Sequence, residues 1–216
     1  MTEFLSPGRV YRREEVLARP SPVPPAGGVY GWWFRRLPPL VDPAGCRTHD
    51  GLTRLYAGIS PRQPPRNGRA PSRQGLWQRL TTHYAGNAEG PTLRKTLGCL
   101  LAEELSIELR RVGSGQRKTF GPGEQRLSAW MADNALVSWV LRDQPWELEE
   151  TLIAALDLPL NLDGNTRRPL PSHPHPGARP LHHPGQRPPR PPQPLHRRPV
   201  TPHVTPRSST TRIAKQ

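Results

Sequence analysis

"GVYGWWFRRL" at residues 28–37 and "LTRLYAGIS" at residues 52–60 decide how this chain folds. Both are dense in the aromatic and β-branched residues that fill a pleated, buried surface, and both read as strands. A Pro/Gly run, "PSPVPPAGG", brings the chain to the first of them, because such runs break helices and strands alike. The connection between them, "LPPLVDPAGCRTHDG", holds three prolines, so a hairpin with a long loop is the simplest topology.

Working outward, "RREEVLA" in the lead-in predicts a short helix over 12–18, stopped by Pro20. Residues 61–75 form a Pro/Gly-rich loop with four arginines and no acid. A loop of that length is either functional or a solvated insertion, and both readings stand. Leu76, Trp77, Leu80 and Tyr84 recur at helical spacing and predict a helix over 75–84. "PTLRKTLGCLLAEELS" predicts a helix over 91–106, with Pro91 suited to its first turn. "IELRRVG" suggests a short strand before a turn, and "GEQRLSAWMADNA" a further helix. "LVSWVLRD" (136–143) reads as a third core strand, and Pro145 opens a last helix that stops before Pro159. Alternating strands and helices make the class α/β (α+β): a small three-stranded sheet, mixed or antiparallel, flanked by helices.

Charge divides the chain. The whole carries 31 Lys+Arg and 17 Asp+Glu, net +14, yet residues 167–216 hold 10 of the basic residues and none of the acids. Residues 1–166 are therefore only mildly basic. Residues 167–216 also hold 14 of the 30 prolines and 6 of the 8 histidines, with almost nothing apolar to bury. Such a composition does not offset the entropy of ordering, so a disordered, polyproline-like tail is expected. It reads as a tether for polyanions, as inert, or as an out-of-frame translation of a GC-rich gene; its histidines lack the spacing of a metal site. The expected organisation is a lead-in (1–27), one domain (28–166) and the tail (167–216). Cys46 and Cys99 are too few and too scattered for a zinc site or a disulfide framework. No apolar run reaches about 18 residues and no secretory pattern opens the chain, so a soluble cytoplasmic protein, with no membrane partner, is expected.

Five residues could carry chemistry. Leu152, Ile153 and Leu156 form the apolar stripe of the last helix, and Glu149 continues it at i, i+3, i+4, i+7, whereas Glu147 and Glu150 fall outside. A carboxylate aimed at a core must be paired, bind a metal or line a cleft; the plainer reading puts it at a first turn, reaching water. Arg79 and His83 stand one turn apart on the helix over 75–84. Arginine there could clamp a phosphate, and histidine could orient a tyrosine hydroxyl or take a proton. Tyr30 and Tyr56 sit on the two strands. Each residue taken alone reads as ordinary packing or a surface charge.

Their order is what resembles a known family. "GVY" and "YAG" stand where the GIY-YIG nuclease domain has its two tripeptides. "LWQRLTTHY" resembles the helix that carries that family's catalytic arginine, and "ELEETLIAALDLPLN" its closing segment with a metal-binding glutamate and a later asparagine. The resemblance spans residues 28–161. Ala57 replaces the usual isoleucine or valine, the two tyrosines lie 26 positions apart, longer than in compact members, and residues 91–135 are extra helical material without an assigned role. The resemblance implies a metal-dependent endonuclease cutting phosphodiesters, in DNA first. Glu149 would ligate Mg2+ or Mn2+, Tyr30 activate water with Tyr56 nearby, Arg79 hold the scissile phosphate, His83 assist, and Asn161 fix a helix end. Two other readings stay open: a nucleic-acid-binding module that has lost catalysis, and a small domain with no nucleic-acid role. DNA or RNA, sequence- or structure-guided cutting, and oligomeric state also stay open.

Overall fold

The computed structural model describes residues 1–65 and 72–162, all within one compact unit spanning Met1–His173. The loop residues 66–71 and the tail from 163 onward lie outside the described residues. The elements run α1 (Thr2–Leu5), α2 (Arg13–Leu17), β1 (Gly28–Phe34), β2 (Thr48–His49), β3 (Leu52–Ser60), α3 (Leu76–Ala85), α4 (Thr92–Leu100), β4 (Arg110–Arg111), β5 (Lys118–Thr119), α5 (Gly123–Asn134), β6 (Ala135–Leu141) and α6 (Pro145–Ala155).

The main sheet is antiparallel, in the order β2-β3-β1-β6. The three expected strands are its body. The fourth, β2, pairs only Thr48 and His49 and is too short to leave a pattern in the sequence. β1 is paired along its whole length on both sides, and all seven of its residues are buried, which is why its sequence shows no polar alternation. Pairing with β3 slips by one residue between Trp32 and Trp33.

Each face of the sheet has its own cover. Tyr30, Trp32 and Phe34 point into the larger core, made with α3, α4 and α5. Val29, Ala57, Ile59 and Val140 face the other way, onto Phe4 of α1, Leu152 of α6 and Leu156 just beyond its end. The lead-in is part of the domain's packing: Phe4, Val16 and Val23 are buried, and Tyr11 exchanges backbone hydrogen bonds with Val137 on the outer edge of β6. Arg54 of β3 is wholly buried, with its guanidinium 4.5 Å from the ring centre of Phe4 and 4.6 Å from that of Trp33, donating to the Phe4 carbonyl. Among the described residues it has no carboxylate partner, and burial lowers its pKa to about 10. Cation–π contact with the two rings replaces the missing counter-charge.

Residues 91–106 do not form one helix. α4 ends at Leu100, and the chain continues in turns until Ser106, which sits in the left-handed region at φ 50°. Among the described residues no helix is long and apolar enough to cross a membrane.

Candidate active site

A cleft of about 500 Å3 opens where β1, β3, α3 and α6 meet; Tyr30, Tyr56, Arg79 and Glu149 all line it. The strands deliver the two tyrosines to the same side: Tyr30 pairs with Gly58, two residues along from Tyr56, and the ring centres are 6.4 Å apart. Gly58 is required between them. A Cβ there would lie 2.7 Å from the Tyr30 hydroxyl and 2.9 Å from Cε1 of Tyr56. Gly28 serves a different approach, since a Cβ at that position would lie 2.4 Å from the Val140 carbonyl.

The Tyr30 hydroxyl is the hub. It accepts from Arg79 Nε at 3.1 Å and lies 3.0 Å from His83 Nε2. His83 does not line the cleft; it is fully buried behind Tyr30, one turn beyond Arg79 on α3. Burial first, then the charges of Arg79 and Arg94, push its pKa well below the usual histidine value, so it is a neutral imidazole. Burial also raises Tyr30, against the opposing pull of Arg79, and raises Tyr56. Both tyrosines are therefore neutral. For Arg79, burial works against the charge, but Tyr30, Tyr56 and Glu149 outweigh it and hold the guanidinium above its ordinary pKa.

Glu149 follows its helical stripe to the cleft wall. Desolvation raises its carboxyl to about 7, while Arg79 and Arg62 pull it down and Glu150 adds to the rise. Among the described residues it makes no hydrogen bond or ion pair, although both partners that could neutralise it are arginines in the same cleft. No group of three or more His, Cys, Asp or Glu converges among the described residues. A magnesium-type ion does not need one: it is commonly held by one or two carboxylates, with water and substrate phosphate completing the shell. An unpaired, desolvated carboxylate on the wall of an open cleft fits that donor set.

Asn161 does something other than fix a helix end. α6 stops at Ala155, and Asn161 instead holds the backbone of β3: its Oδ1 accepts from Ala57 N at 2.9 Å and its Nδ2 donates to Ala57 O at 2.7 Å. Leu160 N also bonds Leu55 O at 3.0 Å. The closing segment thus stands in for a missing strand beside the second tripeptide. Glu150, off the stripe and exposed, nevertheless joins Arg62, Thr92 and Trp146 on the cleft wall.

The segment 91–135 braces the site from behind. Arg94 is wholly buried; it pairs with Glu124 at 2.9 Å and donates to the carbonyl of His83 at 3.1 Å, in the last turn of α3. Glu124 in turn accepts from the backbone N–H groups of Ala88 and Phe120. This bridge is anchored 30 residues apart in sequence, so periodicity does not reveal it; the one signal is a charged residue inside the leucine pattern at 93–101.

With that arrangement in place, the match to the GIY-YIG catalytic domain over residues 28–173 is decisive. The chain belongs to the GIY-YIG family. Neither curated proteins nor solved structures gave a significant match. The GIY-YIG assignment makes this a nuclease fold, and its tyrosines, arginine and glutamate meet at one cleft.

Proposed function

We propose that the protein is an active, divalent-metal-dependent endonuclease that hydrolyses phosphodiesters in DNA. The observation that carries this reading is Glu149: a desolvated carboxylate, unpaired among the described residues, in the same cleft as Arg79 and the two tyrosines. A domain that had lost its ion would be expected to lose so costly a charge. Glu149 would hold Mg2+ or Mn2+. When bound, the ion supplies positive charge that neutralises the phosphate, favours ionisation nearby and stabilises the leaving oxygen.

The chain's own groups divide the remaining work. Arg79 keeps its Nε on Tyr30 and leaves its terminal nitrogens for a non-bridging oxygen of the scissile phosphate. His83 is best placed with its proton on Nε2, donating to the Tyr30 oxygen. The opposite tautomer would bury an N–H at Nδ1, which has no partner among the described residues. Tyr30 then receives two N–H donors, and its own proton faces the cleft. Once that proton has passed to solvent in the cleft, the phenolate is held by two donors and takes a proton from the attacking water. Tyr56 borders the same space and orients the water or the phosphate.

Cleavage of labelled single-stranded, duplex and branched DNA, and of matching RNA, tests this in Mg2+ and Mn2+ beside Glu149→Ala and Arg79→Ala. The expected result is metal-dependent nicking of DNA that both substitutions abolish. Salt-dependent binding with no cleavage of any substrate would replace it with a binding-module reading.

A further inference from the structure

Strands β4 and β5 form a separate two-stranded hairpin within the braced segment. Its base is fixed. Ile107 and Phe120 are buried, and the Phe120 ring packs on α4 so closely that a Cβ on Gly98 would lie 2.2 Å from it. Beyond that base every residue from 110 to 117 is exposed. The ladder places Arg110 opposite Thr119 and Arg111 opposite Lys118. Arg110 has Glu108 at 2.8 Å and Arg117 has Glu89 at 2.9 Å. Arg111 and Lys118 have no acidic partner among the described residues. Like charges directly opposite on an antiparallel pair are destabilising, and a two-residue ladder has little else to offset them. An anion between the two side chains would turn that repulsion into binding.

The hairpin and the cleft share one helix, α4. Thr92, at the start of α4, is on the cleft wall. Thr92, Lys95 and Cys99 share one face of α4, at i, i+3 and i+7. Cys99 follows Gly98, against which the Phe120 ring at the base of the hairpin packs. Thr92 and Cys99 are separated by seven helical residues, a rise of about 10 Å along α4. Arg62 and Arg79 line the cleft, Lys95 is on α4, and Lys118 and Arg111 are on the hairpin packed against that helix.

We propose that the β4–β5 hairpin is a substrate arm: Arg111 and Lys118 grip the phosphate backbone of duplex DNA flanking the bond that enters the cleft. The inference rests on the nucleic-acid reading of that cleft. Phosphate contacts position a duplex without reading its sequence, so the arm sets register and affinity rather than base preference.

The test is equilibrium binding of the full chain to a duplex of about 30 base pairs without divalent metal, across a potassium chloride series. Wild type is compared with the double variant Arg111→Ser/Lys118→Ser and with Lys118→Glu. Each phosphate neutralised contributes about 0.9 to the slope of log affinity against log salt, so the double variant should lose roughly 1–2 from that slope. Its kcat at saturating DNA should be unchanged and its KM raised. Lys118→Glu supplies Arg111 with a cross-strand partner, so it should raise the melting temperature while weakening binding; a purely structural hairpin would not give that combination. Coincident salt slopes for wild type and both variants overturn the arm, as does a wild type that shows no salt-dependent binding. Failure of the arm would leave cleavage and KM intact, whereas failure of the cleft reading would abolish cleavage and leave the slope difference in place.

Discussion

Replacing Asn161 should loosen the strand that carries Tyr56, and the size of the effect can be worked from two hydrogen bonds. Asn161 is 7% exposed and Ala57 fully buried, so Asn161→Leu strands one backbone N–H and one C=O away from water. Each orphaned group costs about 1–3 kcal/mol. Because Asn161 borders the cleft, water can reach part of the gap, which places the total at about 2–4 kcal/mol. Against the ~5–15 kcal/mol of a typical domain this is a large fraction, and it corresponds to a fall in Tm of roughly 5–15 °C. Urea unfolding of the full chain measures it, with the midpoint shifting at constant m. Asn161→Asp refines the test. The carboxylate still accepts from Ala57 N but opposes the Ala57 carbonyl, whereas its protonated form can donate again. Its folded pKa should therefore be raised above the unfolded value of about 3.9. The sign follows: the penalty is absent below the unfolded pKa, grows as pH rises, and is complete above the folded pKa. A loss under about 1 kcal/mol for Asn161→Leu, or an Asn161→Asp penalty independent of pH, would refute the claim that this side chain replaces a strand.

Three further outcomes are expected. Glu149 is raised from 4.5 to about 7, so metal-free protein should be destabilised by it increasingly from pH 4.5 to 7 and fully above. Glu149→Gln should melt higher than wild type at pH 8 in chelator, equal to it near pH 4, and gain nothing from Mg2+, which thermal melts would show. Gly58→Ala drives a methyl into the Tyr30 and Tyr56 rings; the overpacking should cost about 1–3 kcal/mol, with cleavage falling more than stability, measured by melts and single-turnover rates. Arg94→Met leaves the part-buried Glu124 without its cation and should cost up to about 3 kcal/mol, while Arg94→Met/Glu124→Gln should recover much of that in urea but not the cleavage rate, because the His83 carbonyl stays uncapped.

The strands and the last helix were legible because burial imposes a period or its absence. β1 is buried on both sides and reads as an unbroken apolar run, and α6 shows a clean stripe that carries Glu149 to the cleft. Elements held by a single contact were not legible. β2 pairs two residues, and α1 is four residues long with only Phe4 buried. The helix expected over 91–106 was overextended, since its leucines continue through turns that still face the core. In the site, the residues and their order were readable through the family resemblance, but their division of labour was not. That His83 stands behind Tyr30 and that Asn161 reaches a backbone 104 positions away depend on tertiary approach. The expected tail falls outside the described residues.

The position of β1 at the heart of the sheet has a consequence for biosynthesis. Its partner β6 begins at Ala135, a hundred residues after β1 itself. Contacts this distant in sequence close slowly, so β1 waits unpaired on one side while the intervening chain is made and folded. Seven consecutive uncharged residues, three of them Tyr or Trp and one Phe, are a hazard for self-association during that interval. The chain frames them with Pro24 and Pro25 before and the exposed Arg35 and Arg36 after, residues of the kind that discourage strand stacking. Neutralising those two arginines should leave the native domain nearly as stable and lower the yield of soluble protein, a cost borne during synthesis alone.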